Sequence, residues 1–132
     1  MRSVIRQSVV LPAAADSLFD AYLDAAAHAA FTGFPVIICG EPGSPFQAFA
    51  GQLSGTILAV VRPRLIVQSW RSTKFHPTDP DSTLILSFSP DAANSAHGRI
   101  DMVHLDVPKH DHDDVVIGWS KYYWEPWRAY LV

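Results

Sequence analysis

Apolar positions along this chain follow two periods, and the changes of period mark out the elements. Val4–Leu11 sets β-branched residues around polar Arg6, Gln7 and Ser8, which predicts a first strand stopped by Pro12. Beyond it the period lengthens: Leu18, Phe19, Tyr22 and Leu23 recur at helical spacing behind a cap at Asp16 or Ser17. The alanine-rich stretch 25–30 continues, after a break near Asp24, as a second short helix ending before Gly33. From Phe34 the period returns to two. Strands are predicted at 35–40, 46–50, 51–61, 65–71, 83–88 and 99–107, with turns at 41–44 and 62–64 and polar loops at 74–82 and 90–98.

The last segment, 110–132, holds three of the four tryptophans, so it needs a large apolar partner. Val116, Trp119, Tyr123, Trp127 and Tyr130 recur at spacings of three and four, one stripe of a helix, while Ser120, Lys121, Glu125 and Arg128 form a polar face. Asp111, Asp113 and Asp114 suit its N-terminus, and Pro126, which has no N–H to give, predicts a kink. One strand, two short helices, a run of strands joined by short turns and a long helix make an α+β chain: a curved antiparallel sheet wrapped around the C-terminal helix. Strand phase places Ile66, Gln68, Trp70, Leu84, Leu86, Phe88, Ile100, Met102 and His104 toward that helix. On the outer phase, Val103, Leu105 and Val107 are apolar where water is expected, which points to a covering partner, a homodimer.

Composition narrows the function classes. At 132 residues the chain fits one domain, 1–132. A net charge of −3 with scattered Lys and Arg argues against nucleic-acid binding, and no apolar run reaches the length of a membrane span. No signal-peptide pattern is read, so the expected location is cytoplasmic. The single Cys39 leaves no intramolecular disulfide and no cysteine-based zinc site; Val36, Ile37 and Ile38 before it predict a buried thiol in a strand.

Several local words then look familiar: His28-Ala-Ala-Phe31-Thr32-Gly33, Phe46 to Gly51, Leu65-Ile-Val-Gln-Ser-Trp70-Arg71, Asp81-Ser-Thr-Leu84, and Gly118-Trp119 followed by Tyr122-Tyr-Trp-Glu-Pro-Trp127. Over nearly the whole chain they resemble the START-like, Bet v 1-type (SRPBCC) superfamily, in the branch similar to the C-terminal domain of the activator of Hsp90 ATPase. The resemblance implies a helix-grip fold with six or seven strands. It implies no reaction, because one fold there carries lipid carriers, receptors, cyclases and co-chaperone domains. Nothing in these residues matches the separate N-terminal domain that the eukaryotic activator uses on the chaperone.

Function must therefore be argued from the inward polar groups. His104 and Gln68 sit among apolar neighbours; each is either a satisfied core group or a hydrogen-bonding point for a ligand. For His104 the expected core partner is Tyr123 or a backbone carbonyl. Trp70, Trp119 and Tyr123 would complete the walls, so Gln68, Trp70, His104, Trp119 and Tyr123 are the expected ligand-binding residues. His110, Asp111, His112, Asp113 and Asp114 read as a solvated helix start rather than a metal site, and His76, Asp79 and Asp81 as a polar loop. There is no glycine-rich phosphate loop and no nucleophile elbow, and Asp101 and Asp106 fall on opposite phases, so no catalytic residue, metal or cofactor is expected. The expected function is non-catalytic binding of a small apolar or aromatic ligand between sheet and helix. The alternatives are a chaperone-associated interaction domain and, behind it, a cyclase- or hydratase-type enzyme using His104.

Overall fold

Strand β1 (Val4–Leu11) pairs with the last strand, β6 (Gly98–Leu105), in a computed structural model that describes residues 3–132. Between them in sequence lie helices α1 (Ala15–Leu23) and α2 (Ala25–Thr32) and strands β2 (Pro45–Ala48), β3 (Leu53–Val61), β4 (Leu65–Ser72) and β5 (Ser82–Pro90). The six strands form one antiparallel sheet in the order β1-β6-β5-β4-β3-β2. The helical pair carries the chain from one edge of the sheet to the other. Gly98 permits its close approach, since a Cβ there would lie 2.6 Å from a Leu18 methyl and 2.9 Å from the Ala15 backbone.

Register explains the core. Ile57, Gln68, Leu84, His104 and Ile5 are successive cross-strand partners, a single row running over five strands, and all are buried. The strand phases read from the sequence hold: Ile66, Trp70, Leu86, Phe88, Ile100 and Met102 are buried on the same face. That face meets the C-terminal segment, which enters through a 3-10 turn (Lys109–Asp111) and continues as α3 (His112–Gly118), a π-helical stretch (Trp119–Trp124) and α4 (Glu125–Leu131).

The π-helical stretch is where the irregularity expected from Pro126 appears. The N–H of Glu125 reaches back five residues to the carbonyl of Ser120, widening the turn just ahead of the proline, which can donate nothing. This corrects the expected stripe. The buried row is Val115, Trp119, Tyr123 and Trp127, spaced strictly by four, with Trp124 buried beside it; Val116 is half-buried and Tyr130 is 57 % exposed. In a regular α-helix a spacing of four drifts by about 40° per step, and the wider turn swings the row back toward the sheet. Phe31 of α2 stacks on Trp127 at 4.0 Å and 2°, so the first helices also clamp the tail.

Three further expectations change. Residues 35–40 make a single bridge, Ile37 to Gln47, rather than a strand, because Pro35 and the turn around Gly43 leave too few residues free to ladder. Cys39 consequently lies in a loop and is exposed, not buried in a strand; a hydrogen bond from the Ser44 side chain lowers its thiol pKa. Val107 is not on the outer face: β6 ends at Leu105, Asp106 takes a left-handed φ of 65°, and Val107 turns into the core. Val103 and Leu105, both half-buried, are what remains of that apolar stripe.

Candidate functional site

Two hydrogen-bonded sets run through the interior. In the first, the Trp119 indole N–H donates to His104 Nδ1 at 3.1 Å, His104 Nε2 meets Ser82 Oγ at 2.9 Å, and Ser82 donates to the Trp70 carbonyl at 2.6 Å. Since Trp119 can only donate and the Ser82 proton is already committed, His104 is the neutral tautomer with its proton on Nε2. In the second, Tyr22 donates to Gln68 Oε1 at 2.5 Å, while His28 contacts the Tyr22 carbonyl through Nδ1 at 2.8 Å and the Tyr123 hydroxyl through Nε2 at 2.9 Å. The carbonyl requires the proton on Nδ1, so Tyr123 donates to His28. Burial favours the uncharged ring in both: it lowers the pKa of His28 to about 4 and that of His104 to about 3. Burial likewise raises the pKa values of Tyr22 and Tyr123.

Beside these sets lies a cavity of about 380 Å³ between the β3–β4 end of the sheet and the tail. Trp70, Trp119, Tyr123 and Val115 form its apolar floor. Its mouth is an aromatic lip: Phe34 packs against Phe49 at 5.1 Å, and Phe49 against Tyr122 at 5.7 Å and Tyr123 at 5.8 Å. Phe49 and Ala50 have φ values of 52° and 57° and precede Gly51 at 85°, a left-handed run that is costly for a bulky side chain and sets the Phe49 ring at this lip. Lys74 and Asp114 give it an exposed polar rim, and Ser72 and Asp111 lie buried in the wall behind them.

Two polar atoms of the lining are buried and unpartnered: Trp70 Nε1 and Asp111 Oδ2. Each leaves a hydrogen-bonding need of about 1–3 kcal/mol unmet. Asp111 is 2 % exposed, and burial, ahead of the opposing influence of Lys74, raises its pKa.

Of the five expected ligand-binding residues, the structure brings Trp70, Trp119 and Tyr123 to the cavity wall; Gln68 and His104 lie beneath it and do not line it. His104 is satisfied by Trp119 and Ser82 rather than by Tyr123 or a carbonyl. Sequence reasoning missed His28, Phe49 and Asp111. Asp111 was read as part of a solvated run, but it sits in the 3-10 turn before α3, where one residue of a charged run faces inward. A second polar group is also assembled from segments that the sequence treated separately: ligand atoms of His76, Asp79 and His110 lie within 4.8 Å of one another.

A family model described as "Activator of Hsp90 ATPase homolog 1-like protein" matches residues 12–131. This chain belongs to that family. A mouse relative, activator of 90 kDa heat shock protein ATPase homolog 2, is 29 % identical over 101 residues; the match takes in 76 % of this chain but only 29 % of the mouse protein. Among solved structures, an HSP90 activator from Plasmodium falciparum superposes with a TM-score of 0.80 at 19 % identity, covering 92 % of this chain and 91 % of its own. CalU16 from Micromonospora echinospora gives 0.75 at 21 %, covering 98 % and 75 %. Ara h 8.0201 gives 0.74 at 13 %, covering 99 % and 98 %. At these identities the structural matches establish the fold, in which the Activator of Hsp90 ATPase homolog 1-like family shares the Bet v 1-type helix grip.

Proposed function

We propose that this member of the Activator of Hsp90 ATPase homolog 1-like family binds a small, largely apolar or aromatic molecule in the cavity, against Trp70, Trp119 and Tyr123. The observation that carries the reading is the cavity itself, with Trp70, Val115, Trp119 and Tyr123 as an apolar floor and Phe34, Phe49 and Tyr122 at its mouth. Trp70 Nε1 and Asp111 Oδ2 lie just behind that lining, where a small shift of either side chain would offer an indole donor or a carboxylate acceptor to a polar group on the ligand. A volume of about 380 Å³ falls within the range of small-molecule pockets. His104 supports this site from beneath, accepting from Trp119 and packing edge-on against Trp70, while Gln68 is held by Tyr22; neither needs a ligand contact. His104 as an acid or base finds no support, since its ring nitrogens are both engaged.

Native mass spectrometry of the protein purified from its own host tests the proposal. The expected result is a retained small molecule that is lost or reduced in Trp70→Phe and Asp111→Asn. A bare chain, or an adduct equally retained by both variants, overturns it.

The family match favours a second reading, a chaperone-associated role through the surface, in the cytoplasm. Because the chain spans 29 % of the mouse relative's length, activation of an Hsp90 ATPase is a proposal for this domain, tested by adding it to the purified chaperone and following ATP turnover. A saturable rise in rate supports that role, and an unchanged rate removes it. A second copy of the chain packed on the outer face at Val103 and Leu105 is compatible with either reading, and light scattering over a concentration series decides it.

A further inference from the structure

Two loops that are far apart in sequence meet at the surface next to the tail's first turn. His76 and Asp79 belong to the loop between β4 and β5, and His110 to the 3-10 turn ahead of α3. The two imidazole rings stack face to face, with centroids 4.0 Å apart and planes within 8°. Asp79 Oδ2 lies 3.9 Å from His76 Nδ1 and 3.9 Å from His110 Nε2. The backbone beneath is held firmly. Arg71 donates to the carbonyls of His76 and Asp79, both at 2.7 Å, and to Asp81 at 2.9 Å, and the His76 N–H donates to Asp79 Oδ2 at 2.8 Å.

We infer that His76, Asp79 and His110 form a binding site for a divalent transition-metal ion of the zinc or nickel kind, shared between the two loops. Two imidazoles and one carboxylate suit such ions, whereas magnesium and calcium prefer all-oxygen shells. Donors around a tetrahedral zinc stand about 3.3 Å apart, given bonds of roughly 2.0–2.1 Å, so the 3.9 Å contacts must close slightly. The rings must also open from their stack, because an imidazole ligates along its in-plane lone pair. Both histidines are exposed, so that rotation is unhindered, and Arg71 keeps the loop carbonyls in place while it happens. His110 Nε2 lies 3.1 Å from the Lys74 carbonyl. In the metal-bound form the ion replaces the proton directed at that oxygen, and water completes the shell. The ion pins the β4–β5 loop to the start of the tail.

Isothermal titration of the untagged chain with Zn²⁺, Ni²⁺ and Mg²⁺ tests this. Zn²⁺ and Ni²⁺ are expected to bind saturably at one ion per chain, with no heat from Mg²⁺. His76→Ala, Asp79→Asn and His110→Ala should each weaken binding at least about tenfold, while His97→Ala and His112→Ala, half-buried histidines outside the cluster, leave it unchanged. Thermal unfolding of each metal-free variant checks the fold, and Asp79→Asn keeps a side-chain oxygen for the His76 N–H. The inference is overturned by the absence of saturable binding, or by binding that persists unchanged in His76→Ala and His110→Ala.

Discussion

Trp119 of the tail donates its indole proton to His104 of the sheet across 3.1 Å, and this contact ties the two layers of the domain together. It also sets the histidine's tautomer, and through Ser82 it reaches the strand that carries Trp70. Trp119→Phe keeps most of the ring volume but leaves His104 Nδ1 a buried acceptor with no donor. The expected loss is about 1–3 kcal/mol of unfolding free energy in urea titration. His104→Ala adds a cavity, removes the partner of Trp119 and takes one of the two partners of Ser82, so it should cost more.

Acid should unfold this protein through its two buried histidines. Both have folded pKa values, about 4 for His28 and about 3 for His104, below the unfolded value near 6.5. Between those limits the unfolded chain binds more protons, so stability is complete above pH 6.5 and falls as pH drops toward 4. Each contributes a loss of about 3 kcal/mol by pH 4. Asp111, whose pKa is raised, works with the opposite sign and weakens the fold as pH rises through its folded value. Unfolding midpoints measured from pH 8 to pH 4 should show a net decline, shallower in His28→Gln.

Asp111→Asn should separate stability from binding. Replacing the carboxylate removes a desolvated charge but leaves an amide in the same enclosed site, so the ligand-free domain should change by less than about 1 kcal/mol in thermal or chemical unfolding. Ligand retention should fall about tenfold in the same variant.

Ala50→Gly should also stabilise. Ala50 is exposed and held at φ 57°, where a Cβ costs about 1–2 kcal/mol; glycine removes that cost at the price of greater unfolded-chain freedom. The expected gain is a few tenths to about 1 kcal/mol, read as a higher unfolding midpoint.

Much of this architecture is legible in the sequence because it rests on period. The alternation in β4, β5 and β6 carries burial with it, and Gln68 and His104 stand inward for the same reason as Ile66 and Met102. Period alone cannot show where a strand ends. Alternation carried past Leu105 puts Val107 outward, whereas a left-handed Asp106 reverses the chain there. Nor can it show a widened helical turn, so Tyr130 was set on a stripe that the π-helical stretch directs elsewhere. Asp111 and the pairing of His110 with His76 depend on how separate loops fold over one another, and no local spacing encodes that.

The indole N–H signals in a proton–nitrogen NMR spectrum test the central claim most directly. Trp119 and Trp124 donate to His104 and Gln7, whereas Trp70 Nε1 has no partner at the cavity wall. Titration with a small-molecule extract of the host should move the Trp70 signal, assigned by Trp70→Phe, in a saturable way and leave the Trp124 signal in place. A Trp70 signal that stays fixed while the extract saturates any other part of the spectrum would contradict a ligand held in the cavity against Trp70.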